Sequence, residues 1–208
     1  AELENVVNEA AIHAARFGKS TVTMDDLESA RDKIMMGYER KSMFISEKEK
    51  RVTAYHEIGH ALISKLIPGL DPLHKVSIIP RGNALGVTQT LPEDNSLNLT
   101  KEKAESMICM LFGGRVAEEI TFNQITTGAS NDLDRASSIA RKMVCEWGMS
   151  ESLGPAAFSD LTNRQFGEMS SYSPDTLRKI DEEILSILNK CYQKTKSILT
   201  LNKKFNFL

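Results

Sequence analysis

Residues 53–63 read Thr-Ala-Tyr-His-Glu-Ile-Gly-His-Ala-Leu-Ile, and the fold prediction starts from this stretch. It places His56 and His60 four residues apart, a spacing that puts two side chains on the same face of an α-helix. Apolar residues recur at the helical period along that face, which indicates that the face points into the protein. Both imidazoles can then bind one metal ion.

Glu57 directly follows the first histidine and lies at the edge of the same helical face. It is too far round the helix to bind the same ion but can reach a water molecule on it, which is the position of a general base. Zinc would lower the pKa of that water to about 7 and polarise a peptide carbonyl, while Glu57 takes the proton and delivers it to the leaving amine. The alternative is two ordinary core histidines beside a solvated carboxylate. The complete His-Glu-x-x-His pattern with apolar flanks favours zinc hydrolysis.

The composition excludes several classes of protein. The 208 residues carry a net charge of -2 and the pI is about 6.2. The chain thus lacks the positive charge that would indicate binding to nucleic acid. The 3 cysteines are far apart and form no Cys-x-x-Cys pair, which favours reduced thiols in a core over metal ligands. No apolar run approaches the roughly 20 residues that span a bilayer, and no signal peptide opens the chain. Because the first residue is Ala1 and not Met, we expect a fragment. We expect this fragment to be soluble by itself.

The order of the apolar patterns predicts a mainly α-helical fold with a small β-hairpin. Helices are predicted over residues 3–16, from a capping box of Thr23 and Asp26 onward, and over the metal-binding segment from about 46 to 67. Residues 37–50 are polar and charged, which predicts a linker. Strands rich in Val, Ile and Thr are predicted at residues 75–79 and 85–91.

Gly86, Val87 and Thr88 form the predicted substrate-binding edge of this hairpin. An exposed strand near the metal can receive an extended peptide through backbone hydrogen bonds, which tolerate many substrate sequences. A purely structural hairpin is an equally good interpretation of the same residues.

The second half of the chain predicts three more helices. The first begins at Thr100 and is interrupted by Gly113-Gly114, the second covers residues 131–147 with Ser130 as its N-cap, and the last opens at Pro174.

A catalytic zinc needs three protein ligands, so one more side chain must complete the site. Asp132 lies on the flank of an apolar helical stripe, and Glu118 lies on the apolar side of its own helix. Either could be the third ligand. Either could instead orient a zinc-bound imidazole or form a buried salt bridge with Arg115 or Arg135. Periodicity leaves the two candidates open.

Seven stretches resemble the membrane-anchored, ATP-dependent zinc metalloproteases of the FtsH type. They recur in the order typical of that family over nearly the whole chain, and they cover residues 32–37, 54–61, 74–82, 84–88, 113–119, 127–133 and 147–150. The resemblance implies that His56, His60 and Asp132 bind one Zn²⁺ per chain, that Glu57 is the catalytic base, and that Glu118 orients a ligand. It also implies that residues 1–36 are the end of the helical lid of an AAA+ module, that 37–50 are a linker, and that 51–208 are a mainly helical zinc metallopeptidase domain.

Proteins of the FtsH type are similar in being hexamers, of one chain or of paralogues. They use ATP to unfold misassembled membrane proteins and short-lived soluble proteins, and they cleave these substrates processively. The resemblance thus implies unfolded polypeptide substrates, and membrane attachment through N-terminal segments that this chain lacks. It also implies a place on the cytoplasmic face of a bacterial inner membrane or on the matrix or stromal side of an organelle membrane. The P-loop is missing too, so ATP would be used by the absent AAA+ module.

Two stretches depart from the family pattern. Residues 159–171 look shorter than usual, and residues 199–208 do not resemble the family's final amphipathic segment. These departures concern the packing of the C-terminus and the contacts between subunits.

Two other functions are alternatives to a zinc endopeptidase: a catalytically silent module that holds a hexamer together, and a zinc hydrolase that acts on something other than peptides.

Overall fold

The computed structural model describes residues 2–40, 42–82, 84–91, 98–158 and 172–202. Within these ranges the chain is mainly α-helical with one two-stranded sheet, as predicted. The elements in chain order are α1 (Glu2–Arg16), α2 (Met24–Met36), α3 (Glu47–Leu66), β1 (Leu73–Ser77), β2 (Val87–Thr90), α4 (Lys101–Phe122), a single 3₁₀ turn (Thr127–Ala129), α5 (Ser130–Cys145) and α6 (Pro174–Leu201). Among the described residues, no helix combines the length and the hydrophobicity that a membrane span requires. Both departures from the family pattern lie mostly outside the described ranges, at residues 159–171 and 203–208.

The ends of α3 follow from local sequence. Ser46 is the N-cap: its hydroxyl accepts from the backbone N–H of Glu49, and the Glu49 carboxylate accepts from the backbone N–H of Ser46. The helix ends at Leu66, before Pro68, which cannot continue it. Residues 47–50 of the segment predicted as a linker therefore belong to α3.

The packing of α3 against α4 depends on two glycines. A Cβ atom at Gly59 would lie 2.2 Å from the carbonyl oxygen of Gly113, and one at Gly113 would lie 2.6 Å from the carbonyl oxygen of Gly59. The two helix backbones are thus in direct contact. The prediction that Gly113-Gly114 interrupts the helix is wrong, because α4 continues unbroken from Lys101 to Phe122. Close packing outweighs the poor helix propensity of glycine here.

One apolar core joins α3, α4, α5 and α6. The largest side chains that it buries completely are Ile63, Ile108, Met143 and Ile180. All three cysteines are free and buried, as predicted. The core therefore fixes α5 relative to α3, which matters because the candidate site combines side chains of both helices.

Strands β1 and β2 pair antiparallel, with Val76 opposite Thr88 and Ser77 opposite Val87. The predicted hairpin is confirmed, although β1 begins and ends two residues earlier than the prediction and β2 is shorter at both ends. The side chain of Thr88 and the backbone around Gly86 lie against α3. The hairpin is thereby held next to the helix that carries the two histidines.

Ion pairs around the buried Asp32 connect α2 to this hairpin. Asp32 of α2 is 2% exposed and forms ion pairs with Lys75 of β1 and with Arg31, while Arg81 lies 3.9 Å away. Arg81 also pairs with Glu39. This ion pair ties the segment after α2 to the turn that follows β1.

The capping box predicted for α2 is present, since the Asp26 carboxylate accepts from the backbone N–H of Thr23.

The start of α5 differs from the prediction. The 3₁₀ turn at Thr127–Ala129 runs directly into the helix, so the N-cap residue is Ala129, and Ser130 is already helical. The prediction of Ser130 as the N-cap is wrong. The hydroxyl of Thr126 begins the turn instead, by accepting from the backbone N–H of Gly128. The turn directs the first residues of α5, including Asp132, towards α3.

Candidate metal centre

Three side chains from α3 and α5 bring their donor atoms together. Nε2 of His56 lies 3.0 Å from Nε2 of His60. Oδ2 of Asp132 lies 3.2 Å from each of these nitrogens. The structure thus unites the two histidines of the sequence pattern with the carboxylate from 76 residues further along the chain.

The dimensions of this donor triangle fit a zinc ion. Tetrahedral ligands at about 2.0–2.1 Å from zinc lie about 3.3 Å from one another. The observed separations of 3.0–3.2 Å are close to that value. Two imidazole nitrogens with one carboxylate oxygen are also a donor set that zinc accepts in enzymes. His56, His60 and Asp132 could therefore hold a metal ion.

Hydrogen bonds fix which nitrogen of each imidazole faces the triangle. Nδ1 of His56 donates to Oε1 of Glu118 at 2.7 Å, and Nδ1 of His60 donates to the carbonyl oxygen of Met110 at 2.7 Å. Because both Nδ1 atoms are used as donors, both Nε2 atoms are directed at Asp132. Thr126 donates to the second oxygen of Glu118 at 2.8 Å. Glu118 therefore contacts the outer nitrogen of His56, in the place expected of an orienting carboxylate.

The charges of the centre are strongly coupled. Burial alone lowers the pKa of His56, but its hydrogen bonds to Asp132 and Glu118 outweigh burial and raise the pKa to about 9. Burial alone raises the pKa of Asp132, but hydrogen bonds with His56 and His60 hold it below its usual range. The pKa of Glu118 is also lowered, because the hydrogen bonds with His56 and Thr126 outweigh its burial. Both carboxylates are thus ionised beside the imidazoles.

Glu57 lies beside the donor triangle in a cavity of about 1130 Å³. The same cavity is lined by His56, His60 and Asp132, and by the apolar side chains of Val52, Leu85, Val87, Met110 and Leu111. Glu57 itself is only 7% exposed. A carboxylate is thus held at the edge of a site that has room for a peptide.

Gly114 gives the ring of His56 its space. A Cβ atom at this position would lie 2.4 Å from Cε1 and 2.5 Å from Nε2 of His56. No side chain other than hydrogen fits without displacing the imidazole. The glycine pair in the sequence therefore indicates that α3 approaches α4 closely at the site. It does not indicate the predicted break in the helix.

The predicted substrate-binding edge lies along this cavity. Val87 and Thr88 belong to β2, Gly86 directly precedes it, and all three residues line the cavity. In the described part of the chain β2 pairs with β1 on one side, in a sheet of two strands. Binding of a substrate to its other side stays a prediction.

Two contributors to the centre were not identified from the sequence. The carbonyl oxygen of Met110 and the hydroxyl of Thr126 support the site through hydrogen bonds to His60 and Glu118. Neither has a local signal, because the main-chain oxygen of Met110 lies 50 residues from its partner and a threonine in a loop is common. Only the packed helices bring them to the site.

Comparison with known proteins agrees with this geometry. The sequence pattern of peptidase family M41 matches residues 43–206. Among similar proteins, the ATP-dependent zinc metalloprotease FtsH of Myxococcus xanthus is 53% identical over 207 residues, which cover 97% of this chain and 32% of the relative. The ATP-dependent zinc metalloprotease FtsH 1 of Bdellovibrio bacteriovorus is 55% identical over 205 residues, which cover 96% and 32% respectively.

The chain spans about a third of the length of these curated relatives. The matched range contains the positions of both histidines, Glu57, Glu118 and Asp132. The chain therefore belongs to peptidase family M41 and contains the peptidase domain of an FtsH-type zinc metalloprotease.

Proposed function

We propose that the chain is the zinc-dependent endopeptidase part of a processive, ATP-dependent protease. One observation carries the zinc-endopeptidase part of this proposal. The metal-binding atoms of His56, His60 and Asp132 form a triangle with the dimensions expected around zinc, beside Glu57, in a cavity large enough for a peptide. The names of the relatives agree with it, since both contain the words zinc metalloprotease.

His56, His60 and Asp132 are proposed to hold one zinc ion, while Glu118 and the Met110 carbonyl keep the two imidazoles oriented. A zinc ion bound here would supply a positive charge that polarises a peptide carbonyl and lowers the pKa of a water molecule. Glu57 would accept a proton from the attacking water as general base and then deliver it to the nitrogen of the leaving amine.

The substrate is proposed to be an unfolded polypeptide bound as an extended strand. Gly86, Val87 and Thr88 line the cavity and offer backbone groups to such a strand. Backbone pairing needs an extended chain, so we expect cleavage of peptides and unfolded proteins. Efficient degradation of a stably folded protein by this chain alone would contradict this proposal.

The wider function rests on the family resemblance and on the words ATP-dependent in the relatives' names. Residues 1–36 are proposed as the end of an AAA+ lid, 37–50 as a linker and 51–208 as the peptidase domain. The whole protein would be a membrane-anchored hexamer at the cytoplasmic face of a bacterial membrane or in the corresponding organelle compartment. It would use ATP to unfold misassembled membrane proteins and short-lived soluble proteins.

The test combines zinc analysis with cleavage of unfolded casein. Glu57→Gln removes the base but keeps the proposed ligands, so we expect about one zinc per chain and a fall in cleavage rate of about 10²- to 10⁴-fold. Glu47→Gln is the matched control, because Glu47 lies on the same helix with its side chain 88% exposed, and it should keep full activity.

The outcomes separate the competing functions. Full activity of Glu57→Gln would contradict the proposed mechanism. A folded parent that contains no zinc would favour the silent hexamer module. Zinc without casein cleavage would favour a hydrolase with another substrate.

A further inference from the structure

A hydrogen bond joins the candidate base to strand β2. Oγ1 of Thr88 donates to Oε2 of Glu57 at 2.6 Å, and the same hydroxyl lies 3.0 Å from the backbone oxygen of Glu57. The two residues are 31 positions apart and belong to different elements, α3 and β2. The contact therefore depends on the docking of the hairpin against the helix and is not a local feature of the chain.

Gly86 closes the other side of the same carboxylate. A Cβ atom at Gly86 would lie 2.7 Å from both Cγ and Oε1 of Glu57. The strand backbone is thus in direct contact with the Glu57 side chain. Because Glu57 is only 7% exposed, its charge needs hydrogen-bond donors from the protein, and Thr88 provides one.

We propose that Thr88 is a positioning residue for catalysis, whose hydroxyl fixes the rotamer of Glu57. This inference rests on the proposed function, in which Glu57 is the general base. A carboxylate with free rotation about its side-chain bonds would spend part of its time directed away from the reacting water. The hydroxyl of Thr88 holds one oxygen in place, and Gly86 limits movement of the other.

The position of Thr88 on the predicted substrate edge gives the contact a second effect. A peptide that pairs with β2 takes its position from the backbone of residues 86–88, and Glu57 takes its position from the side chain of Thr88. Base and substrate are then aligned by the same three residues. The proton of Thr88 is not transferred in the reaction: it stays on Oγ1 while Glu57 gains a proton from water and loses it to the leaving amine.

Kinetics of three variants of the 208-residue chain test this role. Thr88→Val keeps the branched shape and removes the hydroxyl, so we expect kcat for an unfolded-peptide substrate to fall about 10- to 100-fold, the loss typical of a hydrogen bond to a charged group. KM and zinc content should stay at the parental values. Thr88→Ser should restore kcat to within about threefold, since it keeps the hydroxyl. Thr90→Val is the matched control on the same strand and should not change kcat.

The split between kcat and KM distinguishes positioning from substrate contact. If Thr88 acted only by contacting the peptide, Thr88→Val would raise KM and leave kcat unchanged, and that result would overturn the inference. A parental kcat in Thr88→Val, together with loss of activity in Glu57→Gln, would overturn the positioning role alone. Full activity in Glu57→Gln would overturn the proposed function itself.

A spectroscopic measurement tests the contact without using activity. The ¹³C carboxyl resonance of Glu57, assigned by its absence in Glu57→Gln, should shift in Thr88→Val and stay at the parental position in Thr90→Val. Thr88→Ser should give a resonance near that of the parent. An unchanged resonance in Thr88→Val would overturn the inference whether or not the protein cleaves peptides.

Discussion

Two clusters of this protein each contain a carboxylate on a helix that is withdrawn from solvent. At the candidate metal centre the Asp132 side chain is 18% exposed and faces the imidazoles of His56 and His60. Beside strand β1 the Asp32 side chain is 3% exposed and faces Lys75 and Arg31. The pKa of both aspartates is held below its ordinary value, so a lowered pKa does not by itself identify a functional site.

The partners of the two carboxylates make the difference. Lysine and arginine are permanent cations near neutral pH, and they leave the charge of Asp32 already compensated. Imidazoles can give up a proton and then offer lone pairs, so the cluster at Asp132 can exchange protons for a metal cation. That cluster also opens into the cavity, whereas Asp32 is covered. We therefore interpret the first cluster as functional and the second as structural.

Among the variants that test the difference between the two clusters, we expect the largest effect from Asp132→Ala. Loss of the third donor should reduce zinc from about one per chain to a small fraction of that value, because two imidazoles alone bind zinc weakly. Elemental analysis of the purified variant and the parent measures the change. Asp134→Ala is the matched control, since Asp134 is exposed on the same helix. Full zinc in Asp132→Ala would move the third ligand to Glu118.

A smaller effect on the same centre is expected from Glu118→Gln. The glutamine can still accept from Nδ1 of His56 but lacks the charge, so zinc affinity should fall about 10- to 100-fold. Competition with a chelating dye measures the affinity. Glu119→Gln provides the control, because Glu119 contacts Lys196 and not the histidines. Equal affinity in parent and Glu118→Gln would mean that the contact seen here has no role in metal binding.

At the structural cluster, Asp32→Asn should lower the free energy of unfolding by about 1–2 kcal/mol at pH 7, a value reduced because the Lys75 side chain is 40% exposed. Burial raises the pKa of Asp32, but the hydrogen bonds from Lys75 and Arg31 outweigh burial and lower it. Its stabilising contribution is therefore complete above the unfolded pKa of about 3.9 and is lost as the pH falls towards the folded value.

Urea unfolding of parent and Asp32→Asn between pH 7 and pH 3 measures this dependence. The difference between the two proteins should shrink as the pH falls, and the zinc content should be the same in both. A constant difference at every pH would show that Asp32 does not act through its charge.

The smallest effect is expected from Lys75→Met. The lysine is partly exposed, and Arg31 and Arg81 remain near Asp32 after the change. We expect a loss of stability below about 1 kcal/mol that decreases further in high salt. Thermal unfolding at low and high ionic strength measures it. We interpret Asp32 as the residue on which the cluster depends most. A loss of stability in Lys75→Met larger than that in Asp32→Asn would contradict this interpretation.

The sequence predicted the features that depend on neighbouring residues. The spacing of His56 and His60 is set within one helical turn, and the helix predicted from about 46 to 67 is present as α3. The small hairpin and the buried cysteines also follow from composition and pattern. In each case the physical cause lies within the segment that shows the pattern.

Features that depend on packing between distant segments were predicted less well. Periodicity could not choose between Asp132 and Glu118, because the choice depends on how α4 and α5 dock onto α3; the family resemblance favoured Asp132. The break predicted at Gly113-Gly114 is absent because α3 supports the helix there. The contact of Thr88 with Glu57 was also missed, since a strand pattern shows which residues are extended but not which helix they touch.

The distance of 76 residues between His56 and Asp132 also matters while the chain is being made. Synthesis begins at the N-terminus, so α3 emerges with both histidines and Glu57 before α5 exists. At that stage the donor triangle is incomplete. Only the docking of α5 onto the finished helices supplies its third corner. A growing chain of this peptidase therefore cannot have the complete triangle of His56, His60 and Asp132 until α5 has been made and has packed against the earlier helices.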